Sequence, residues 1–254
     1  MWVFRLIQQL NEKLDSRVKI QAVELNGIPT PRKTRFIEID KSQRIFEITN
    51  LRADQWFKHS PEPFCSAVKR VHSNAKTTIL ADFGHGLFQD SVLNTTAELD
   101  GFVALNVQTN SSNFGFNPFT KHKRFSFLSI DVREVQIAYH DRTTPPLELA
   151  RRVRSDVSNS AGVAMTRGSS GACYFPQGTE TEYSMPAFAD EVVDATGAGD
   201  AFFAMSSLLA KVGCPPVMVP FVGNVFAGLK TKIIGNKSSV TKAQLLKALA
   251  AILK

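Results

Sequence analysis

The chain has 254 residues, of which 43% are hydrophobic and 21% are charged. This composition is typical of a folded globular protein and excludes a globally disordered chain or a fibrous repeat. Lysine and arginine exceed aspartate and glutamate by 30 to 23, so the formal net charge is +7, which suits an anionic partner.

Helix and strand patterns alternate from the first residues. Val3, Leu6, Ile7, Leu10 and Leu14 recur at helical spacing and predict an N-terminal helix. A strand is predicted next, and two alternating runs separated by Asp-Lys-Ser predict a hairpin. The predicted strand covers 18–25, and the two hairpin strands cover 32–39 and 43–48.

The middle of the chain repeats a pattern of short apolar strands that end in glycine or polar loops. The predicted elements are a weak helix over 66–73, strands over 77–81, 101–107 and 125–130, a short helix from Asp131, a helix over 147–157, and strands over 162–166 and 172–175. This alternation is typical of a parallel α/β sheet, in which ligands bind at the carboxyl ends of the strands.

Three helices are predicted in the C-terminal part, running to about residue 212, over 216–234 and over 241–253, with Thr241 as the N-cap of the last. No linker, internal repeat or low-complexity segment interrupts the pattern. The sequence therefore predicts one domain over 1–254, with the hairpin over 32–48 as an appendage.

Cysteine usage and hydropathy narrow the class of protein further. The three cysteines are far apart and form no CxxC pair, which argues against a disulfide scaffold and a zinc module. No apolar run reaches the roughly 18 residues of a membrane span, so we expect no membrane partner and a cytoplasmic location. The bases are spread along the chain, so a phosphorylated small molecule is favoured over nucleic acid as the anionic partner.

The string Asp194-Ala-Thr-Gly-Ala-Gly-Asp200 is the sharpest chemical signal. Its glycines allow a tight turn in which several backbone N–H groups point to one location. The N-terminus of the apolar helix that follows, which carries the positive end of the helix dipole, points to the same location. Asp200 lies beside this anion hole, where a carboxylate can take a proton from an attacking hydroxyl. The alternative is an acid that only complements the helix dipole.

This string resembles the C-terminal signature of the ribokinase-like (PfkB) carbohydrate kinases. Other stretches are similar to further motifs of that family in the family's order, and the order is nearest to the heptose-phosphate kinase subgroup. These stretches are Ile28–Phe36, Ala81–Gly86, Leu105–Asn106, Asp131–Glu134, Met165–Gly171 and Gly223–Gly228. The resemblance implies a three-layer α/β/α, Rossmann-like fold with a mostly parallel sheet and a small β-hairpin lid.

The resemblance also implies roles for individual residues. Asp200 would be the catalytic base, and Gly197, Ala198 and Gly199 would stabilise charge on the transferred phosphoryl group. ATP would contact Asn106, Thr166, Gly168, Gly171, Asn224 and Ala227. Mg²⁺ would be held, through water, by Asp131 and Glu134. Several of these residues also have an alternative, purely structural interpretation. The alternatives are an ordinary hairpin at 166–171, an acid on a helix surface at Glu134, and core packing at Asn224 and Ala227.

The chain departs from the family pattern in three places. Its first 25 residues resemble the helix and strand that follow the family's sugar-gripping elements, so the sequence predicts a domain truncated at its N-terminus relative to the family. Asp131 stands where the family has asparagine. His85 stands where the family has a lysine, which weakens a permanent positive charge near the substrate side.

The function implied is an ATP- and Mg²⁺-dependent kinase that phosphorylates a hydroxyl of a sugar or sugar phosphate. The alternative is a kinase-fold protein without an acceptor site, acting as a nucleotide sensor or an assembly subunit. A third possibility is that the missing part is supplied by another chain or was never translated. The charged hairpin is expected to be a lid or an oligomer contact, for example in a homodimer, and not part of the core.

Overall fold

A computed structural model describes residues 7, 8, 10, 12, 14–24, 29–38, 43–51, 60–157, 161–235 and 237–254. Its centre is a six-stranded sheet with the strand order β3-β4-β5-β6-β7-β8. The strands are β1 Arg32–Glu38, β2 Gln43–Asn50, β3 Thr77–Asp82, β4 Phe102–Val107, β5 Phe127–Asp131, β6 Gly162–Thr166, β7 Ala172–Phe175 and β8 Tyr183–Met185.

Seven helices are defined in the described residues. They are α1 Glu62–His72, α2 Asp90–Ala97, α3 Val132–Ala138, α4 Pro146–Asp156, α5 Ala198–Lys211, α6 Met218–Thr231 and α7 Lys242–Ile252. Two short 3₁₀ turns cover Phe119–Lys121 and Gly168–Ser170. The predicted N-cap of the last helix is confirmed, because Thr241 forms a capping box with Gln244.

The sheet is parallel from β3 to β6 and antiparallel from β6 to β8. Its four parallel strands therefore end at one edge, where chain-distant polar residues can meet. The predicted mostly parallel α/β sheet is confirmed. It provides the frame on which the candidate site is built.

Successive side chains of each strand point to opposite faces of the sheet, so the core consists of two layers, one on each face. Leu105 and Leu128 pack with Leu149 of α4 on one face of the sheet, and all three are fully buried. The neighbouring Ala104 and Phe127 pack with Phe202 of α5 on the other face. Helices thus cover both faces of the sheet, which gives the predicted three layers.

The predicted hairpin forms a separate two-stranded sheet of β1 and β2. Phe36 and Phe46 stack with their ring centroids 4.3 Å apart, and Arg35 forms an ion pair with Glu47 at 2.8 Å. Both phenylalanines remain about half exposed, at 42% and 50%. The hairpin is outside the core as predicted, and its role as a lid or dimer contact stays a prediction. Its predicted turn at 40–42 lies outside the described residues.

One predicted strand is wrong, and two elements were not predicted. Residues 18–24 are irregular, because among the described residues no strand lies beside them as a ladder partner. Gln21 instead accepts a hydrogen bond from Arg70 of α1 at 3.0 Å. Helix α2 escaped prediction because its Asp, Asn, Ser and Thr residues are weak helix formers; burial of Val92, Thr95 and Thr96 stabilises it. The three-residue strand β8 has no clear pattern.

In the part of the chain that the structure describes, no helix has both the length and the apolarity needed to cross a bilayer.

Candidate active site

The carboxyl ends of β4, β5 and β6 bring together three of the predicted site residues. Asn106, on β4, donates from Nδ2 to the carbonyl oxygen of Ser129 on β5 at 2.9 Å. Thr166, the last residue of β6, donates from Oγ1 to Oδ2 of Asp131, the last residue of β5, at 3.0 Å. The predicted polar cluster at this edge therefore forms, held by hydrogen bonds between neighbouring strands.

Glu134 lies one turn into α3 and closes a capping box with Asp131, the N-cap of that helix. Its two carboxyl oxygens accept from the backbone N–H groups of Thr109 at 3.1 Å and Asp131 at 2.9 Å. Burial raises the pKa of the Glu134 carboxyl to about 7 despite these hydrogen bonds, and the negative charges of Asp131 and Asp200 add to the rise. Glu134 is therefore a largely buried acid close to Asp131 and Asp200, and not an exposed acid on the helix surface.

The turn before α5 has the conformation that the glycine pattern predicts. Gly197 is the N-cap and adopts a left-handed conformation with φ of 80°. Lys230 lies beneath it and donates to the carbonyls of Thr196 at 3.1 Å and Gly235 at 2.7 Å. Helix geometry leaves the first-turn N–H groups at Gly199 and Asp200 without intrahelical acceptors, so they can face an anion.

Asp194 fixes the start of the same turn. Its carboxylate accepts from the N–H of Thr196 and the N–H of Gly235, each at 2.8 Å. Burial alone would raise the pKa of Asp194, but these hydrogen bonds and the nearby charge of Lys230 hold it below its ordinary value. Asp194 is therefore ionised at neutral pH and acts as a brace for the glycine turn.

Asp200 lies in the first turn of α5, where its side chain is exposed. Its Oδ1 accepts a hydrogen bond from Nε2 of Gln108 at 2.8 Å. Gln108 directly follows β4, so the predicted base of α5 meets the predicted phosphate-facing end of β4. The structure thus assembles Asn106, Asp131, Glu134, Thr166 and Asp200 around one edge of the sheet.

The remaining residues that were expected to contact ATP lie in the turn from β6 to β7 and on α6. Gly168 and Gly171 have φ of 57° and 83° and shape the turn from β6 to β7. Asn224 of α6 donates from its side-chain amide to the carbonyls of Met185 at 3.1 Å and Pro186 at 2.9 Å. This amide group therefore anchors the segment after β8, while Ala227, one helical turn on, is partly buried against the core.

The predicted magnesium residues offer oxygen ligands that already have other partners. Asp131 accepts from the N–H of Arg133 and the hydroxyl of Thr166, and both oxygens of Glu134 accept backbone N–H groups. A carboxylate has about four acceptor positions, so two remain on each side chain. Such a pair fits a Mg²⁺ ion that keeps most of its water shell. Within the described ranges, no three His, Cys, Asp or Glu side chains converge as a direct metal cluster.

The loop after β3 carries a buried ion pair that the sequence did not predict. Asp82 is 2% exposed, and its Oδ2 lies 2.7 Å from Nζ of Lys121 and 2.9 Å from Nε2 of His122. Although burial alone would raise it, these partners hold the pKa of Asp82 below its ordinary value. Lys121 thus neutralises the charge of Asp82 inside the fold, and the weaker positive charge expected where His85 stands stays a prediction.

Sequence reasoning missed three residues of this region, namely Gln108, Lys121 and Lys230. Gln108 is the first residue of the polar run that follows β4. Its position at the carboxyl end of a parallel strand is the sequence signal that indicates a site residue. Lys121 and Lys230 carried no local signal, because each reaches the site from an element distant in sequence from its partner.

Residues 146–228 match the sequence profile of the pfkB family carbohydrate kinases, and this match runs from the start of α4 into α6. The predicted ribokinase-like (PfkB) relationship is confirmed. The PfkB match contains the glycine turn, Asp200 and the predicted nucleotide residues from Thr166 to Ala227.

Two curated relatives and several solved structures extend the likeness over most of the chain. "Bifunctional protein HldE" of Coxiella burnetii is 26% identical over 231 residues, 90% of this chain and 46% of its own length. The HldE protein of Gluconacetobacter diazotrophicus is 25% identical over 229 residues, 86% of this chain and 44% of its own length. The chain therefore spans less than half the length of the curated relatives it matches.

Structural neighbours show the same fold at low identity. Arabidopsis thaliana ribokinase, solved with ribose and ATP, superposes with a TM-score of 0.65 at 21% identity, covering 88% of this chain and 70% of that one. Burkholderia thailandensis nucleoside kinase, solved with inosine, gives a TM-score of 0.61 at 16% identity over 89% and 70% of the two chains. The predicted ribokinase-like fold is confirmed.

Proposed function

We propose that this chain is an ATP-dependent carbohydrate kinase domain that transfers the γ-phosphoryl group of ATP to a hydroxyl of a sugar or sugar phosphate. The observation that carries the proposal is the exposed carboxylate of Asp200, held beside a left-handed glycine turn at the carboxyl ends of the parallel strands. That arrangement pairs an anion-binding helix end with a proton acceptor.

The chemistry divides simply among the residues. Asp200 takes the proton of the acceptor hydroxyl, whose oxygen forms a bond to the γ-phosphorus as the bond to the bridging oxygen of ADP breaks. The N–H groups around Gly199 and the dipole of α5 stabilise the charge on the transferred group. Asp131 and Glu134 would hold Mg²⁺ through water, and the ion would neutralise charge on the phosphates.

The nucleotide is expected to lie across the ends of β4 to β6 towards Gly168, Gly171 and α6. Added Cβ atoms at Gly168 and Gly199 would meet no other atom within 4 Å, so a ligand can approach the backbone at both turns. The ribokinase solved with ATP has the same fold, which supports ATP as the donor.

One observation favours a second function, that of a nucleotide sensor or assembly subunit. Asp82, at the end of β3 on the acceptor side, is buried and paired with Lys121 and His122. A carboxylate so engaged does not offer its oxygens to a sugar hydroxyl. Binding of ATP without transfer would agree with this arrangement.

The experiment that separates these functions combines calorimetry with an ADP-release assay. Titration of a non-hydrolysable ATP analogue with Mg²⁺ tests nucleotide binding, and a panel of pentoses, hexoses and heptose phosphates tests transfer. Binding together with acceptor-dependent ADP release supports the kinase. Binding without release for any acceptor favours the sensor, and no binding to a folded sample refutes both the kinase and the nucleotide sensor.

A further inference from the structure

Gln108 connects the candidate base to the central sheet through a continuous series of hydrogen bonds. Its single side-chain NH₂ group lies 2.8 Å from Oδ1 of Asp200 and 3.3 Å from Oδ1 of Asn106. Asn106 in turn donates to the carbonyl of Ser129 in β5 at 2.9 Å. The two hydrogens of the Gln108 amide can therefore donate to the oxygens of Asp200 and Asn106 at the same time. Together with the hydrogen bond from Asn106 to Ser129, they connect α5, β4 and β5.

The backbone of Gln108 is held in place from three sides. Its N–H donates to the carbonyl of Asp82 at 2.9 Å. Its carbonyl oxygen accepts from Nδ2 of Asn113 at 3.0 Å and from Nδ2 of Asn117 at 3.2 Å. Asn113 and Asn117 are 7% and 3% exposed, so these amides are part of the folded loop. The side chain of Gln108 therefore projects from a fixed point.

Asp200, in contrast, has little around it to fix its carboxylate. The residue is exposed, and Gln108 provides its side-chain hydrogen bond. Among the described residues nothing donates to Oδ2, so that oxygen is left for an incoming hydroxyl. A carboxylate on an exposed helix turn samples several rotamers unless a partner selects one.

We propose that Gln108 is a positioning residue that holds Asp200 by Oδ1 and directs Oδ2 towards the hydroxyl to be phosphorylated. The inference rests on the proposed kinase function for its catalytic consequence, but the contact itself can be tested without turnover. Gln108 does not touch the reacting atoms. Its effect on the reaction passes entirely through the geometry of Asp200.

The contact is tested by NMR on the full chain at neutral pH. The side-chain NH₂ resonances of Gln108 are identified as the pair missing from the Gln108→Ala spectrum. We expect this pair to shift in Asp200→Ala, because a hydrogen bond to a carboxylate is lost, and to stay in place in the control Asp90→Asn. An unchanged pair in Asp200→Ala would overturn the proposal whatever the activity.

The catalytic consequence is tested by steady-state kinetics of Gln108→Ala against the parent chain. We expect kcat to fall on the order of 10- to 100-fold, since small misplacements of a reacting group cost that much, while the KM for ATP stays within about twofold. The control is Gln21→Ala, at an exposed glutamine in the irregular segment that contacts Arg70 of α1.

The outcomes separate the two proposals. A Gln108→Ala variant that loses thermal stability and keeps the kcat of the parent has only a structural role, which overturns the inference and leaves the kinase function standing. A parent chain that binds ATP but transfers no phosphate overturns the kinase function and the catalytic part of the inference. The NMR comparison then still decides whether Gln108 holds Asp200.

Discussion

Lys230, in the last turn of α6, places its ammonium nitrogen 3.1 Å from the carbonyl oxygen of Thr196, directly before the glycine turn of α5. The same nitrogen lies 2.7 Å from the carbonyl of Gly235. One lysine thus ties the predicted anion-binding turn to the chain that follows α6. The conformation of this turn therefore involves a long-range brace as well as its own glycines.

Replacement of this lysine should loosen the turn. We expect Lys230→Met to lower the free energy of unfolding by about 1.5–3 kcal/mol, the usual range for a hydrogen bond to a charged group, and to weaken ATP-analogue binding. Urea unfolding and calorimetry measure the two effects. Lys232→Met is the matched control, because Lys232 is exposed and forms only a surface ion pair with Asp190 at 3.5 Å. Equal effects of the two variants would contradict the brace.

The two glycines of the β6–β7 turn should respond very differently to alanine. A Cβ at Gly171 would lie 2.0 Å from the carbonyl oxygen of Met185, and the residue has φ of 83°. A Cβ at Gly168, with φ of 57°, would meet nothing within 4 Å. Steric overlap with backbone adds to conformational strain at Gly171, whereas strain acts alone at Gly168.

We therefore expect Gly171→Ala to lower the free energy of unfolding by about 4 kcal/mol and Gly168→Ala by about 1 kcal/mol. Denaturant unfolding of the two variants beside the parent measures the difference. Similar losses would show that β8 can move away from Gly171 at little cost, and would remove the steric reason for glycine at that position.

Much of the site could be predicted because its requirements are local in sequence. The strands β3 to β6 are short apolar runs that end in polar residues, and parallel connection by helices brings their ends to one edge. The turn at Gly197 needs a positive φ that glycine supplies, so the string itself indicates its conformation. Asp131 and Glu134 were predicted from the resemblance of Asp131–Glu134 to a motif of the carbohydrate kinases, and the same spacing of three residues forms a capping box in the structure.

The remaining features depend on contacts between distant parts of the chain. Gln108 and Asp200 are separated by 92 positions, and only the completed sheet brings them together. Lys121 reaches Asp82 from a 3₁₀ turn that follows β4, so the sequence around Asp82 does not reveal this ion pair. The predicted strand at 18–25 had the right alternation, but a strand also needs a neighbour to pair with.

Glu134 should make stability depend on pH. Its pKa is raised to about 7 in the folded chain from an ordinary value of 4.5. Between these values the unfolded chain has released the proton while the folded chain keeps it, so the free energy of unfolding falls as pH rises through this window. A difference of this size amounts to about 3 kcal/mol at and above pH 7.

Glu134→Gln should remove this pH dependence, because glutamine does not ionise. Urea unfolding at intervals from pH 4.5 to 8 should give a flatter profile for the variant than for the parent. Glu148→Gln, at an exposed position in the first turn of α4, should leave the parent profile unchanged. Parallel profiles for Glu134→Gln and the parent would show that the Glu134 carboxyl ionises normally in the folded chain.

Asp200→Asn tests the proposed base most directly. Asparagine keeps the side-chain volume, and its Oδ1 can still accept from Gln108, so the geometry around the turn should persist. Its amide cannot take a proton from the acceptor hydroxyl, and loss of a positioned general base typically lowers rates by ~10²–10⁴-fold. The affinity for an ATP analogue should be unchanged or higher, because a negative charge close to the γ-phosphate is removed.

Paired measurements of acceptor-dependent ADP release and analogue affinity decide the role of Asp200. The matched control is Asp90→Asn, since Asp90 also lies in the first turn of a helix but belongs to α2. If Asp200 only complemented the dipole of α5, both variants would lose a few tenths of a kcal/mol to about 1 kcal/mol of stability and keep full turnover. A large loss of turnover confined to Asp200→Asn, with nucleotide affinity retained, identifies the carboxylate as the proton acceptor.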